Sequence, residues 1–331
     1  MARIMVFDLP AVSGGALTIL DMYHKKAIAD KENEYIFVVS LPRLEQTDTV
    51  TVLNFPKVKR SWFHRYYFDK FQAKKLVNQY NPDKIISLQN IMVSGTKIPQ
   101  EIYVHQSLPF TEHKFNLFAH PRLWINQNII SRMIIKSIKR AQRVTVQTEW
   151  MKSAIIARCG INAQKITVEP PRLIIKITQY INDGASRFFY PAAPFVYKNH
   201  IAIIKALIIL KNQNINPQVT FTLDGSENRL TGRLKKLSQN NGLNVVFAGN
   251  MQHEKVLRIY SKSVLLFPSY VETIGLPLLE ARMSNSPIIC TDEPFCKEIC
   301  SDYDKVAYFK YNNYSELADR MKEVIEKYEP I

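Results

Sequence analysis

Residues 264–281 read VLLFPSYVETIGLPLLEA. Val264–Phe267 is a short continuous apolar run, the signature of a strand buried on both faces. Pro268-Ser269 ends it, and Gly275 followed by Pro277 opens a helical pattern that runs to Ser284. Two carboxylates interrupt this apolar frame. Glu272 falls in the strand-to-helix loop, and Glu280 on the second turn of the helix, about 7.5 Å along its axis. Core packing has no use for either. The N–H groups of Thr273, Ile274, Gly275 and Leu276 belong to the loop and first turn, where orphan donors and the helix dipole attract an anion. Gly275 permits a ligand to approach the main chain closely. Donors for a phosphate beside two acceptor-only carboxylates suit a ligand that is both phosphorylated and polyhydroxylated. From spacing alone, an acid favoured near a helix N-terminus and a second, solvated acid form the bland alternative.

The same alternation of short β-rich runs and helical patterns extends in both directions. Strands are expected at Ile4–Phe7, Tyr35–Val39, Val50–Leu53, Lys84–Ser87, Ile102–Val104, Val144–Gln147 and Ile166–Val168, with helices at Leu17–Ala29, Trp62–Tyr80 and Trp124–Ala141. Pro170-Pro171 breaks the pattern, and the polar stretch Ile181-Asn182-Asp183-Gly184 reads as a link. Strands then resume at Phe188–Pro191, Val219–Leu223, Val245–Ala248, Val264–Phe267, Pro287–Thr291 and Val306–Phe309. Their helices are Asn199–Asn212, Asn228–Asn240, His253–Tyr260, Gly275–Ser284 and Tyr314–Tyr328. The class is α/β, with two Rossmann-like parallel-sheet domains expected to face each other across a cleft. The expected division is 1–178, a linker at 179–186, a second domain at 187–312, and a C-terminal helix at 313–331 that could pack back toward the first domain. In open α/β sheets ligands bind at the carboxyl ends of the strands, so the loops there are where chemistry is sought.

The chain has 331 residues, 46% of them apolar, enough for two cores. No apolar stretch reaches the roughly 18 residues of a membrane span, and MARIMVFDLP reads as a first strand rather than a secretory signal. The four cysteines, at 159, 290, 296 and 300, have neither disulfide-framework nor metal-knuckle spacing, which fits a reduced, cytosolic compartment. The net charge of +15 is uneven: −2 over residues 1–50, +16 over 51–200 and +1 over 201–331. A polyanionic partner is implied, whether nucleic acid, an anionic membrane or phosphorylated substrates.

Glu272-x7-Glu280 around Ile274-Gly275-Leu276-Pro277, after a strand ending Phe267-Pro268-Ser269, resembles the signature of retaining GT-B glycosyltransferases of family 4. The likeness continues through Leu223-Asp224-Gly225, Val246-Phe247-Ala248-Gly249 and Pro287-Ile288-Ile289, and is weaker in the first half. The resemblance implies a GT-B fold and a nucleotide-sugar donor. It implies that Glu280 binds ribose hydroxyls, that Glu272 contacts hydroxyls of the transferred sugar, and that the amides of Thr273, Ile274, Gly275 and Leu276 hold diphosphate and sugar. It makes Lys198 the cation that neutralises the leaving diphosphate. The family's arginine a few residues earlier is replaced by Ala192-Ala193, and Arg229 or Arg172 are the candidates to supply its charge.

Three further features follow from the resemblance. Gly14 and Gly15, after Ser13, occupy the place of the family's glycine loop near donor phosphates or acceptor, although a Gly-Gly turn is common at any tight connection. His105, in Tyr103-Val104-His105-Gln106, matches a histidine that reaches toward the donor sugar, against the ordinary alternative of a structural histidine. No metal or other cofactor is expected, and Asp302-x-Asp304 is read as a solvated face.

The basic excess concentrates in two stretches. Lys57–Lys75 interleaves Trp62, Phe63, Tyr66, Tyr67, Phe68 and Phe71 with Lys59, Arg60, Arg65, Lys70, Lys74 and Lys75. The helix over 124–143 sets Ile130, Met133, Ile134, Ile138 and Ala141, read as core, against Arg132, Lys136, Lys139, Arg140 and Arg143. Cationic faces with aromatic anchors fit an anionic bilayer, where a lipid-diphosphate acceptor would lie; a merely solvated basic face is the alternative. The expected function is transfer of a UDP- or dTDP-linked hexose, with retention, to a lipid-linked or growing glycan in bacterial capsule, exopolysaccharide or O-antigen synthesis. It would work at the inner face of the plasma membrane, with front-face attack and lobe closure. The rivals are a GT-B-fold sugar-nucleotide epimerase, which needs no acceptor, and a nucleic-acid-binding protein, for which no recognised binding motif is present.

Overall fold

The computed structural model describes residues 1–12, 14–171, 175, 177–182 and 187–328. The chain divides into two compact units, Met1–Leu173 and Ile174–Ile331. Of the expected link, residues 183–186 lie outside the described residues, as do Ser13 and Arg172.

The first unit contains strands β1 (Arg3–Asp8), β2 (Glu34–Val39), β3 (Val50–Asn54), β4 (Lys84–Ser87), β5 (Gln100–Tyr103), β6 (Arg143–Val146) and β7 (Ile166–Val168). They pair in parallel in the order β3-β2-β1-β4-β5-β6-β7. A parallel sheet needs cover on both faces, and β1 shows how this sequence provides it. Ile4 and Val6 point to one face, packing with Ile19, Leu20 and Ala27 of helix α1 (Gly14–Ala29). Met5 and Phe7, on the alternate positions, meet Phe68, Ala73 and Val77 on the other. Those last residues come from the π-helical turn Phe68–Gln72, which continues α2 (Trp62–Tyr67), and from α3 (Ala73–Tyr80), into which it runs.

The same device recurs in α4 (Pro121–Ile125), a π-turn at Asn126–Ile130 and α5 (Ser131–Arg140); α6 (Glu149–Cys159) follows β6. A π-turn inserts one residue into the helical repeat, so apolar positions on its two sides no longer share a face. Beyond the turn, Ile134, Ile138 and Ala141 are core as expected, but Met133, about 100° around α5 from Ile134, is 49% exposed; Ile125 and Ile129 are exposed too. The expectation that Met133 belongs to the core is therefore corrected.

The second unit contains β8 (Arg187–Tyr190), β9 (Gln218–Phe221), β10 (Val245–Phe247), β11 (Val264–Phe267), β12 (Ile288–Thr291) and β13 (Val306–Phe309), parallel in the order β10-β9-β8-β11-β12-β13. Each is followed by a helix: α7 (His200–Asn212), α8 (Arg229–Asn240), α9 (His253–Tyr260), α10 (Leu276–Met283), α11 (Pro294–Ile299) and α12 (Tyr314–Tyr328). Every residue of β11 and β12 is buried, as the continuous apolar runs require. Helix α12 lies along α7, burying Leu317, Ala318, Met321 and Ile325, with the Lys205 ammonium 4.3 Å from the Tyr314 ring centre.

In both sheets the order reverses beside the first strand of the unit, between β1 and β4 and between β8 and β11. At such a switch point the flanking loops leave in opposite directions and open a crevice at the strand carboxyl ends. All four cysteines are free and buried. Among the described residues no helix is long and apolar enough to cross a membrane.

Candidate active site

The two loops that flank the switch point of the second sheet carry the residues singled out from the sequence. After β8 the chain runs Pro191–Phe195 into a single 3-10 turn, Val196–Lys198. After β11 it runs Pro268–Gly275 into α10. The Lys198 ammonium is paired with the Glu272 carboxylate. Ser269 Oγ also donates to Glu272 Oε1 at 2.9 Å. Both charged side chains keep some access to solvent, 17% and 15%, so the pair is available to a ligand.

Backbone contacts lock the two loops together. Tyr270 N donates to the Tyr197 carbonyl at 3.1 Å, and Tyr190 Oη donates to the Lys198 carbonyl at 2.7 Å. Burial, then the Glu272 charge, raise the Tyr190 phenol well above its ordinary pKa, so it remains a donor. Asn199 stands at the N-cap position of α7. Its side chain caps nothing. It adopts a left-handed φ of 57° and donates through Nδ2 to the carbonyls of Pro268 (3.3 Å) and Tyr311 (2.8 Å). Asparagine tolerates that conformation better than most residues, and here it ties the Lys198 turn to the exits of β11 and β13.

Gly275 has φ +73°, and a Cβ there would lie 3.0 Å from Phe267 Cζ and 3.1 Å from Leu278 Cδ1. The glycine is thus required by its backbone conformation and by close packing on the strand below, which seats the first turn of α10. Pro277 falls in that turn, where its missing N–H costs nothing.

Glu280, on the second turn, is buried. Its Oε1 is 2.8 Å from His253 Nε2, and its Oε2 accepts from Tyr260 Oη at 3.1 Å. A buried carboxylate requires such partners. Sequence reasoning missed both. The available signal was their spacing of seven on α9, which puts His253 and Tyr260 on one face of that helix.

A hollow of about 380 Å³ opens at the carboxyl ends of β8, β9 and β10. Ala192 and Ala193 line it, together with Thr222, Leu223, Glu227, Asn250 and Met251. Where the resemblance implies an arginine, this chain presents two methyl groups and space. Arg229 opens α8 on the surface. The Glu227 carboxylate accepts from the N–H groups of Asp224 (2.6 Å) and Gly225 (3.0 Å), closing the loop after β9 at the edge of the hollow.

Gly14, Gly15 and His105 belong to the first unit. Gly14, at φ +62°, and Gly15 form the exposed start of α1, with nothing within 4 Å of a Cβ built on Gly14. His105 follows β5, and its N–H donates to Asn90 Oδ1 at 2.8 Å. The residue is half-buried, its Nδ1 is sealed from solvent without a hydrogen-bond partner, and burial pulls its pKa down to about 4. It is neutral at physiological pH. At the end of β1, Asp8 is fully buried, and burial pushes its carboxyl up to about 7 against the opposing charges of Arg65 and Lys59. Among the described residues no group of three or more His, Cys, Asp or Glu side chains converges as a metal site. Asp302 is instead paired with Arg282 at 2.7 Å.

Residues 175–330 match the family model of glycosyl transferases group 1. The O-antigen chain mannosyltransferase RfbU of Salmonella typhimurium is 23% identical over 210 residues, covering 60% of this chain and 57% of RfbU. The serotype-specific mannosyltransferase WbdA of Escherichia coli is 35% identical over 81 residues, 24% of this chain and 10% of WbdA. The chain thus spans little more than half of one relative and a tenth of the other. Among solved structures, HepE of Anabaena in complex with UDP and glucose superposes over 98% of this chain and 90% of its own, with a TM-score of 0.71 at 15% identity. The second unit is thus matched by the glycosyl transferases of group 1, and the two parallel α/β units together have a GT-B fold.

Proposed function

We propose that the protein is a retaining hexosyltransferase that moves a sugar from a nucleoside diphosphate to a hydroxyl of a lipid-linked or growing glycan. The setting is bacterial surface polysaccharide synthesis, whether O-antigen, capsule or exopolysaccharide, at the inner face of the plasma membrane. The observation that carries the reading is the Lys198–Glu272 pair at the switch point of the second sheet, beside the seated first turn of α10. RfbU and WbdA, both mannosyltransferases by name, support the substrate class.

In this reading the donor diphosphate lies against the N-terminus of α10 and the Lys198 ammonium. An ammonium has three N–H donors. Glu272 takes one and holds the group in place, leaving the others for phosphate oxygens. The Glu272 carboxylate has acceptor sites left for sugar hydroxyls, and Glu280 receives the ribose diol. The acceptor oxygen forms its bond to the anomeric carbon as the carbon–phosphate-oxygen bond breaks, on the same face, and the acceptor proton passes to the departing phosphate oxygen. The rate enhancement comes from stabilising negative charge that develops on the diphosphate, for which a positioned cation and helix donors are suited. No resident metal is proposed, since Lys198 and the helix supply that charge.

A thermal-shift panel of nucleotide sugars, varied in base and in hexose, tests the reading. A true donor raises the melting temperature by mass action, and the stabilisation should shrink in Glu280→Gln. Absence of stabilisation by every member of the panel would sink it. Donor turnover that proceeds at full rate without any glycan acceptor would favour an epimerase instead.

A further inference from the structure

The helix of the first unit that closes one face of the core carries an unusual outer surface. Phe68 is its anchor, wholly buried and packed on Phe55 with ring centres 4.9 Å apart. The other rings of the segment point outward. Trp62, Phe63, Tyr66, Tyr67 and Phe71 are between 48% and 77% exposed. They form two adjacent ladders, Trp62–Tyr66 stacked at 5.6 Å and Tyr67–Phe71 at 5.4 Å. Burying Phe68 forces this arrangement, because rings four positions apart share a face that the core does not use. Contiguous exposed aromatic surface of this kind marks a site of interaction.

Cations bracket the rings. Residues 57–80 contain seven lysines and arginines and one acid, Asp69. That acid is already neutralised, since Arg65 Nε donates to Asp69 Oδ2 at 2.7 Å while Arg65 Nη2 donates to Gln89. Arg60 stands exposed ahead of the rings, and Lys70, Lys74 and Lys75 stand exposed after them. An apolar aromatic centre with cations at both ends matches a layered partner whose anionic surface overlies an apolar interior. A second copy of the chain does not match it. An isologous contact would set the same cations against themselves.

We propose that residues 60–75 are a bilayer-docking element: α2 lies in the plane of an anionic membrane with Trp62, Phe63, Tyr66, Tyr67 and Phe71 below the headgroups and Arg60, Lys70, Lys74 and Lys75 among them. The proposal rests on the reading that the acceptor is membrane-borne, and it names the surface that meets the membrane. Interfacial helices bury their apolar face about 5–10 Å deep, a depth that aromatic side chains on a single helix face can span. Tryptophan and tyrosine suit that depth because each has an apolar body and a polar atom.

The test is co-sedimentation of the full chain with vesicles of phosphatidylcholine, alone or mixed with phosphatidylglycerol. Wild type should bind the mixed vesicles, lose binding at high salt, and show a blue shift of tryptophan emission that is reduced in Trp62→Phe. Changing Lys70, Lys74 and Lys75 together to Gln should lower partitioning about a hundredfold, taking about fivefold per lysine. The triple variant Trp62→Ser, Phe63→Ser, Tyr66→Ser should abolish the emission shift with an unchanged melting temperature, because all three side chains are exposed. Failure of wild type to bind mixed vesicles overturns the proposal, as does undiminished binding by the triple serine variant. Retention on single-stranded nucleic acid without vesicle binding overturns it in favour of a polynucleotide partner. Nucleotide-sugar stabilisation measured on the same samples separates the outcomes: vesicle failure with donor binding intact defeats this surface alone, and the reverse defeats only the transferase reading.

Discussion

Lys198 and Glu272, 74 positions apart, form an ion pair across the switch point of the second sheet. The pair exists because β8 and β11 are neighbours although three helices and two strands separate them in sequence. On the proposed reading, removing the cation leaves Glu272 facing the donor diphosphate with no counter-charge. Lys198→Ala should therefore lower the transfer rate by ~10²–10³ while circular dichroism stays native. Full transfer by this variant would remove Lys198 from the mechanism.

Glu280 is clasped by His253 and Tyr260. If its task is to hold the ribose diol, Glu280→Gln should raise the Kd for the nucleoside diphosphate about tenfold or more, as loss of a charge-assisted contact does. His253→Ala should give a smaller rise in the same direction, because Tyr260 still holds one carboxylate oxygen. Isothermal titration decides both. Equal Kd values for wild type and Glu280→Gln would place the ribose elsewhere.

Gly275→Ala tests the seating of α10. The left-handed φ alone costs about 1–2 kcal/mol for a residue with a Cβ, and the contact with Phe267 at 3.0 Å adds to it. The expected outcome is a lower denaturation midpoint, with weakened donor binding because the first-turn amides shift. A variant as stable as wild type would mean that the loop relaxes freely.

The pH dependence of stability has two opposed parts. Asp8 ionises near 3.8 in an unfolded chain and at about 7 when folded, so its contribution is full below 3.8 and is lost as pH rises through about 7. His105 and His200 behave oppositely. Burial lowers them to about 4 and about 3, the charge of Lys198 assisting at His200, so their contributions are present above 6.5 and lost as pH falls toward those values. Asp8→Asn should therefore stabilise the protein at pH 8 and have little benefit at pH 4. The upper bound is on the order of 4 kcal/mol, a net figure in which the attraction to Arg65 and Lys59 is already included. Urea titrations at the two pH values measure it, and an equal effect at both would show that Asp8 titrates normally.

Much of the fold was legible because parallel strands are buried on both faces and so appear as uninterrupted apolar runs. Val264–Phe267 and Ile166–Val168 match the observed strands residue for residue. Val104 was read one residue too far, since an apolar residue past the end of a strand looks the same as one within it, and Gln147 was also included beyond Val146. Helix α6 carried no clear signal: its buried Met151, Ile155 and Cys159 are interspersed with half-buried residues. Met133 was misassigned because it sits at the edge of the apolar stripe, about 100° around α5 from Ile134, and local spacing does not say where the stripe stops.

The candidate site was legible in part for similar reasons. Glu272, Gly275 and Glu280 stand out because acids and a glycine break an apolar pattern. The amino-acid sequence by itself determined two α/β units, the strand-to-helix loops, and the uneven positive charge, since these depend on local periodicity and composition. Only the tertiary structure decided that Lys198 meets Glu272, that Asn199 braces three loops rather than capping a helix, and that Phe68 turns inward while its aromatic neighbours face out. Contacts of that kind depend on which strands become neighbours and on where a helix rotates to fill the core, and neither is written in the spacing along the chain.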